Sequence, residues 1–289
     1  MIAVWFVVVS LLVQTPTGSA KPAPAPELVA IVSALDGKMW AQGKPMRRLA
    51  LYDWLQVGTV IDLDAQAHAV LVMMDGRRYE LGGGSRVELT ATSATTLRGP
   101  VKEAAPVPQL ASLAPIAGRA PKLSGAVRLR AATIPKLNPC YTVVTLRDAT
   151  VLRFEPIAGA SQYAIEVQSE DGQRVFAQTI ERPPLAVPSG ILSAGTNYIW
   201  TVRVTGDGPP ARSEGRFHTL DAEAEAARIS LASALDAAGS GLLGGIDMNL
   251  GLLNEAIAEL TAAAERPPDN AAVRAAADRA RAALAEACK

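Results

Sequence analysis

The chain has 289 residues and a mass of 30.2 kDa, room for two or three domains at roughly 100–200 residues each. Its 28 basic and 28 acidic residues cancel, which argues against a generic nucleic-acid binder. A hydrophobic content of 49% excludes broad disorder, although aromatics make up only 4% and much of the apolar count is alanine.

Residues Ile2 to Val13 form an apolar run broken only by Ser10. As a helix it would rise about 18 Å, short of a ~30 Å hydrocarbon core. Gly18 and Ala20 supply small residues at the −3 and −1 positions of a cleavage site. Residues 1–20 therefore read as a secretory signal peptide, an uncleaved anchor being the alternative, since no Lys or Arg precedes the run. The expected mature protein is periplasmic or extracellular, with no membrane span after signal cleavage. Residues 21–27 are a Pro/Ala linker, of the kind that favours extended spacers.

Residues 28–99 alternate apolar and polar positions between turn signals. Val29–Val32 and Lys38–Trp40 flank Asp36-Gly37, which predicts a hairpin. Ala69, Leu71 and Met73 share one strand face, with His68 on the other. Asp75-Gly76 turns the chain back into Tyr79 and Leu81, and Gly82-Gly83-Gly84-Ser85 reads as a further hairpin turn before Val87 and Leu89. The stretch Asp53–Ile61, then Ala69-x-Leu71-x-Met73-x-Asp75-Gly76, then Ser85-Arg86-Val87-Glu88-Leu89, resembles the FecR-like domain. Thr59 and Gly84 stand where that family has Asp and Asn. The resemblance implies a small all-β periplasmic domain. It does not carry over the sigma-regulator role, because the cytoplasmic segment and transmembrane helix of those regulators are missing.

Seven prolines between Pro100 and Pro139 predict a Pro/Ala-rich linker over 100–139, with a short strand at Ala126–Leu129. Residues 140–219 again alternate. Leu152-x-Phe154-x-Pro156, Gly159-Ala160-Ser161-Gln162-Tyr163 and Gly195-Thr196-Asn197-Tyr198-x-Trp200-x-Val202 resemble a fibronectin type III module, with Phe154 in the place of the usual Trp. The resemblance implies a β-sandwich whose inward positions are Phe154, Tyr163, Ile165, Trp200 and Val202. These aromatics then serve as core rather than as a ligand platform. Tyr198 shares that inward parity, so its hydroxyl needs a partner.

From Leu220 onward the period lengthens to about 3.6. Asp221 caps an expected helix running to Ala238, with Ala224, Ala227, Leu231 and Leu235 on one stripe. Ile246, Leu250, Leu253, Ile257, Leu260 and Ala264 recur at 4-3-4-3 spacing, with a turn at Gly251. Pro267-Pro268-Asp269-Asn270 stops that element and caps the next, which carries Val273, Ala277, Ala280, Leu284 and Ala287. Leu243, Gly244, Ala256, Leu260, Ala263 and Pro268 resemble a tetratricopeptide repeat, with Ser240 and Asp247 where that repeat has Trp and Tyr. One repeat cannot bury its own face, so residues 220–289 form a bundle, dock on the β domains or pair with a partner.

The expected fold class is thus multidomain and mainly β with a C-terminal α segment. No phosphate loop, dinucleotide fingerprint or metal-ligand spacing appears, and His68 and His218 share no motif with a nucleophile. No catalytic residue, cofactor or metal is expected. Arg47, Arg48, Arg77, Arg78 and Arg86 either cluster as an anion-binding patch or lie scattered in solvent. Cys140 and Cys288 either form one disulfide or remain two thiols. The function expected is non-enzymatic binding or scaffolding in the bacterial cell envelope, by modular protein or glycan recognition. The partner would be a protein or an envelope polymer, and not nucleic acid. The alternatives are a periplasmic signalling regulator of the FecR type and an enzyme with an unrecognised site.

Overall fold

The computed structural model describes residues 27–107, 134–235, 239–266 and 270–288. The expected signal peptide, most of the first linker, the Ala126–Leu129 strand and the Pro267-Pro268-Asp269 stop lie outside the described residues. The described chain is mainly β, in sheets that are antiparallel except for the parallel pairing of residues 142–144 with 217–219, with four helices after residue 220.

The first β module is two five-stranded sheets around one core. One sheet has the order β10-β7-β6-β1-β4, built from β1 (Leu28–Asp36), β4 (Trp54–Gln56), β6 (His68–Met73), β7 (Arg78–Leu81) and β10 (Val101–Ala104). The other has the order β3-β2-β5-β8-β9, built from β2 (Met39–Ala41), β3 (Arg47–Leu49), β5 (Val60–Leu63), β8 (Arg86–Leu89) and β9 (Ala94–Arg98). Between them Met39, Leu55, Ile61, Leu71, Leu81 and Val87 lie fully buried. The Asp75-Gly76 hairpin is present, with Val72 opposite Arg78 and Gly76 at φ 89°.

Two expected hairpins are corners instead. Asp36-Gly37 carries the chain from β1 in one sheet to β2 in the other, and Gly82–Ser85 does the same between β7 and β8. A glycine turn between alternating runs reads alike whether the next strand pairs with its predecessor or crosses the sandwich. Close approach fixes these glycines. A Cβ on Gly83 would lie 1.9 Å from the Ala65 carbonyl oxygen. The expected linker is also shorter than 100–139 at both ends. Residues 101–104 pair with β7, and Ile134 and Asn138 already belong to the second module.

That module sets a five-stranded sheet against a two-stranded one. The larger has the order β11-β17-β16-β13-β14, from β11 (Thr142–Val144), β13 (Tyr163–Ser169), β14 (Arg174–Ile180), β16 (Asn197–Val204) and β17 (Arg212–Thr219). The smaller pairs β12 (Thr150–Leu152) with β15 (Leu185–Val187). Phe154, Tyr163, Ile165, Trp200 and Val202 are all core, and Phe154 meets Tyr163 edge-on at 4.9 Å. The polar tips of the buried aromatics are satisfied. Trp200 Nε1 donates to the Pro139 carbonyl at 2.8 Å, and the Tyr198 hydroxyl accepts from the Ser193 amide at 2.8 Å.

The helices are α1 (Ala222–Ala234), α2 (Ser240–Leu250), α3 (Leu253–Ala264) and α4 (Ala271–Ala287). Asp221 caps α1 by accepting from the Ala224 amide, and Asn270 caps α4. α1 ends at Ala234, short of Ala238. Gly251 closes α2 in the left-handed conformation at φ 82°, which glycine adopts without a Cβ penalty.

Of the three options open for this segment, docking on the β modules is what occurs. The helices share one apolar core with Ile31, Leu51, Tyr52, Val72 and Met74 of the first module and Val143 of the second. Ile31 and Val72 are cross-strand partners on the outer face of the first sheet. The helices cover that face, so β6 is buried on both sides and loses its alternation after His68. Tyr52, at φ 67°, lies against a slot on α2: a Cβ on Gly245 would sit 2.3 Å from Tyr52 Cγ, and one on Gly241 2.5 Å from its hydroxyl oxygen. Burial pushes the Tyr52 hydroxyl pKa up to about 12. On the other side the Val143 amide donates to the Gly251 carbonyl at 3.0 Å.

Candidate binding cleft

Where α1 and α3 meet the second module, the surfaces part to leave an open cleft of about 610 Å³. Asn138, Arg147, Asp148 and Arg153 line it from the module; Arg228, Asn254, Glu255 and Glu259 line it from the helices. Asn138 and Asn254 bridge the two walls with a reciprocal amide pair at 2.9 and 3.1 Å. Glu225 of α1 accepts from the Leu146 amide at 3.3 Å. The exposed guanidiniums of Arg147 and Arg153 face a wall bearing Glu255 and Glu259, an arrangement that can hold a ligand carrying both signs of charge.

Below this wall Arg228 and Asp247 form a buried pair. Nε donates to Oδ1 at 2.7 Å and an η nitrogen to Oδ2 at 2.6 Å, while Asp247 has no solvent exposure. Burial pulls the Arg228 pKa down, but the bond to Asp247 and the nearby carboxylates outweigh it and leave it raised. Burial pushes Asp247 up despite its partner. The two directions favour opposite states. The bidentate, charge-assisted geometry decides for an ionised pair. Burial, then the Asp247 and Glu225 charges, also push Glu255 up, against a lowering by Arg228. One buried carboxylate oxygen on each of Glu225 and Glu255 has no hydrogen-bond partner.

This pair was missed in the sequence, although its signal was present. Arg228 falls on the Ala224–Leu231 stripe of α1, and Asp247 interrupts the apolar run of α2. A charge on each of two buried faces implies that they meet.

The structure does not bring the five expected arginines together. Arg47 and Arg48 lie on β3 and Arg86 on β8, whereas Arg78 lies on β7 of the other sheet and Arg77 in the turn before it. Four of them face carboxylates: Arg47 with Asp53 at 3.0 Å, Arg77 with Asp75 at 2.5 Å, Arg78 with Glu80 at 3.2 Å and Arg86 with Asp62 at 3.7 Å. Arg48 is exposed. Period-two alternation places residues on a face of a strand but does not say which sheet the strand joins.

Cys140 and Cys288 are joined in a disulfide, with their Cα atoms 5.3 Å apart. His68 is exposed. His218 Nδ1 shares a hydrogen bond with Asn197 Oδ1 at 2.8 Å, and burial holds its pKa below the ordinary value despite Asp221 and Glu170. Among the described residues no group of three or more His, Cys, Asp or Glu is arranged to hold a metal ion, and no helix is long and apolar enough to cross a membrane. No protein-family model matches this chain, and no curated protein does.

Proposed function

We propose that this is an exported, non-enzymatic binding or scaffold protein of the bacterial cell envelope. In this reading a FecR-like module, a fibronectin type III-like module and a tetratricopeptide-like hairpin act as one recognition unit. The observation that carries it is the docking of the helices. They are built into an apolar core with the first module, are tied to the second through Val143, Asn138 and the disulfide, and leave an open charged cleft at the second junction. A rigid joint with an open mouth suits recognition, because the walls need little ordering when a partner binds. The disulfide supports an oxidising compartment.

Because the helices share a core with the first module, deleting residues 220–289 would expose apolar surface and test folding rather than binding. Charge reversal in the cleft is the cleaner experiment. Arg147→Glu with Arg153→Glu leaves the core intact and should abolish capture of the partner from envelope fractions. Equal capture by this variant and the parent would overturn the reading of the cleft.

A further inference from the structure

The outer face of the second module's larger sheet carries an unresolved charge conflict. Arg203 of β16 and Arg212 of β17 are direct cross-strand partners, and their outward parity is opposite to that of Val202 and Trp200. Direct partners in such a ladder have Cβ atoms about 4.5–5.5 Å apart, and like charges there are destabilising. Both residues are exposed, and among the described residues neither forms an ion pair.

The nearest acids form no ion pair with them. Glu214 accepts from Arg216 at 3.2 Å, and Glu166 accepts from Gln168 Nε2 at 2.7 Å. Continuing across the sheet from the arginine pair, the same row passes Ala164 on β13 and reaches Thr179 on β14. The small alanine opens a groove of about 430 Å³, which also takes in Arg174, Thr201 and the Glu166 carboxylate, three guanidiniums against one acid. Three guanidiniums against one carboxylate, beside hydroxyl groups over a small-residue floor, leave an excess of positive charge, the kind of local conflict tolerated where a ligand resolves it.

We propose that this groove binds the carboxylated or phosphorylated sugar units of an anionic polysaccharide. The Arg203 and Arg212 guanidiniums grip the oxyanion, for which their planar donor forks are suited. Thr179 and Thr201 hydrogen-bond to sugar hydroxyls. Arg174 reaches the neighbouring unit. This rests on the envelope-binding reading above and names its ligand class, at a site separate from the cleft.

The test is calorimetric titration of the purified full chain with a hexamer of galacturonic acid, a neutral maltohexaose and inorganic phosphate. The acidic hexamer should bind, maltohexaose should not, and phosphate should bind at least tenfold more weakly than the hexamer. Arg203→Gln with Arg212→Gln should lower affinity for the hexamer at least tenfold, whereas Arg182→Gln, outside the groove, should leave it unchanged. Without ligand the double variant should melt no lower than the parent, since it removes a repulsion and no bond. Equal binding of maltohexaose, equal binding of phosphate, or full affinity in the double variant overturns the proposal. A lower melting temperature in that variant would show the arginines to be structural and overturns it too. Failure here leaves partner capture through the cleft standing, so the two readings fall separately.

Discussion

The helical segment is fastened to its two neighbours by different chemistry. Toward the first module the contact is mainly apolar and shaped by glycines: Tyr52 fills the slot over Gly241 and Gly245, Ile31, Val72 and Met74 join the same core, and Asn249 and Arg279 add hydrogen bonds to the Tyr52 and Leu51 carbonyls. Toward the second module only Val143 joins that core, and the contact is mainly polar and covalent, through the Asn138–Asn254 amides, the Glu225–Leu146 bond and the Cys140–Cys288 disulfide, with a cleft left open. A dry, interdigitated joint excludes ligands. A joint held by a few polar bonds and a covalent tie tolerates a gap, and the gap is where recognition can take place.

The largest expected effect falls on the buried pair beneath the cleft wall. Asp247→Ala leaves the Arg228 guanidinium uncompensated and should cost about 3–5 kcal/mol of unfolding free energy by chemical denaturation. Replacing both residues with leucine should recover most of that loss, because the burial cost of both charges disappears together. A double variant as weak as the single would mean that the charges themselves hold the helices in place. Next is the disulfide. It bridges a sequence separation of 148 residues, so Cys288→Ser should cost about 2–5 kcal/mol. Amide exchange should then quicken in α4 and around residues 138–144, while α2 amides under Tyr52 stay protected. Equal loosening of both joints would erase the contrast drawn here.

Parity in the sequence was enough to identify the core of each β module. Phe154, Tyr163, Trp200 and Val202 face inward as alternation requires, the Asp221 carboxylate starts α1, and Gly251, lacking a Cβ, ends α2. What alternation cannot encode is which sheet a strand joins. Asp36-Gly37 and Gly82–Ser85 therefore read as hairpins and turn out to be corners, and the five arginines part between the two sheets and a turn. The cleft was illegible for a related reason. Asn138 and Asn254 are 116 residues apart, and neither carries a local signal of meeting the other.

The glycine slot gives a test that turns on sign. In an ordinary helix interior, Gly→Ala stabilises by about 1 kcal/mol. At Gly245 the new Cβ would stand 2.3 Å from Tyr52 Cγ, on a ring buried in the shared core, so Gly245→Ala should instead cost about 1–3 kcal/mol in thermal or chemical melting. A stabilised variant would show the joint to the first module to be loose. It would then be the second joint, with its disulfide, that holds the helices.

The smallest effect is electrostatic and lies at the open joint. Burial, with Asp247 and Glu225 nearby, raises the Glu255 pKa in the folded state above its ordinary 4.5, while Arg228 partly opposes the shift. Between 4.5 and the raised value the native state binds more protons than the unfolded one, so stability falls as pH rises through that window. Above it the full cost of the buried carboxylate remains. His218 acts oppositely: its folded value lies below 6.5, so its contribution grows as pH rises toward 6.5. Glu255→Gln removes one of these slopes and leaves the other. The variant should be more stable than the parent at pH 7, by on the order of 1 kcal/mol. The gain should vanish as pH falls to 4.5, which denaturation midpoints across that range would measure. A gain independent of pH would attribute the effect to packing and not to charge, and the open joint would then owe nothing to its acids.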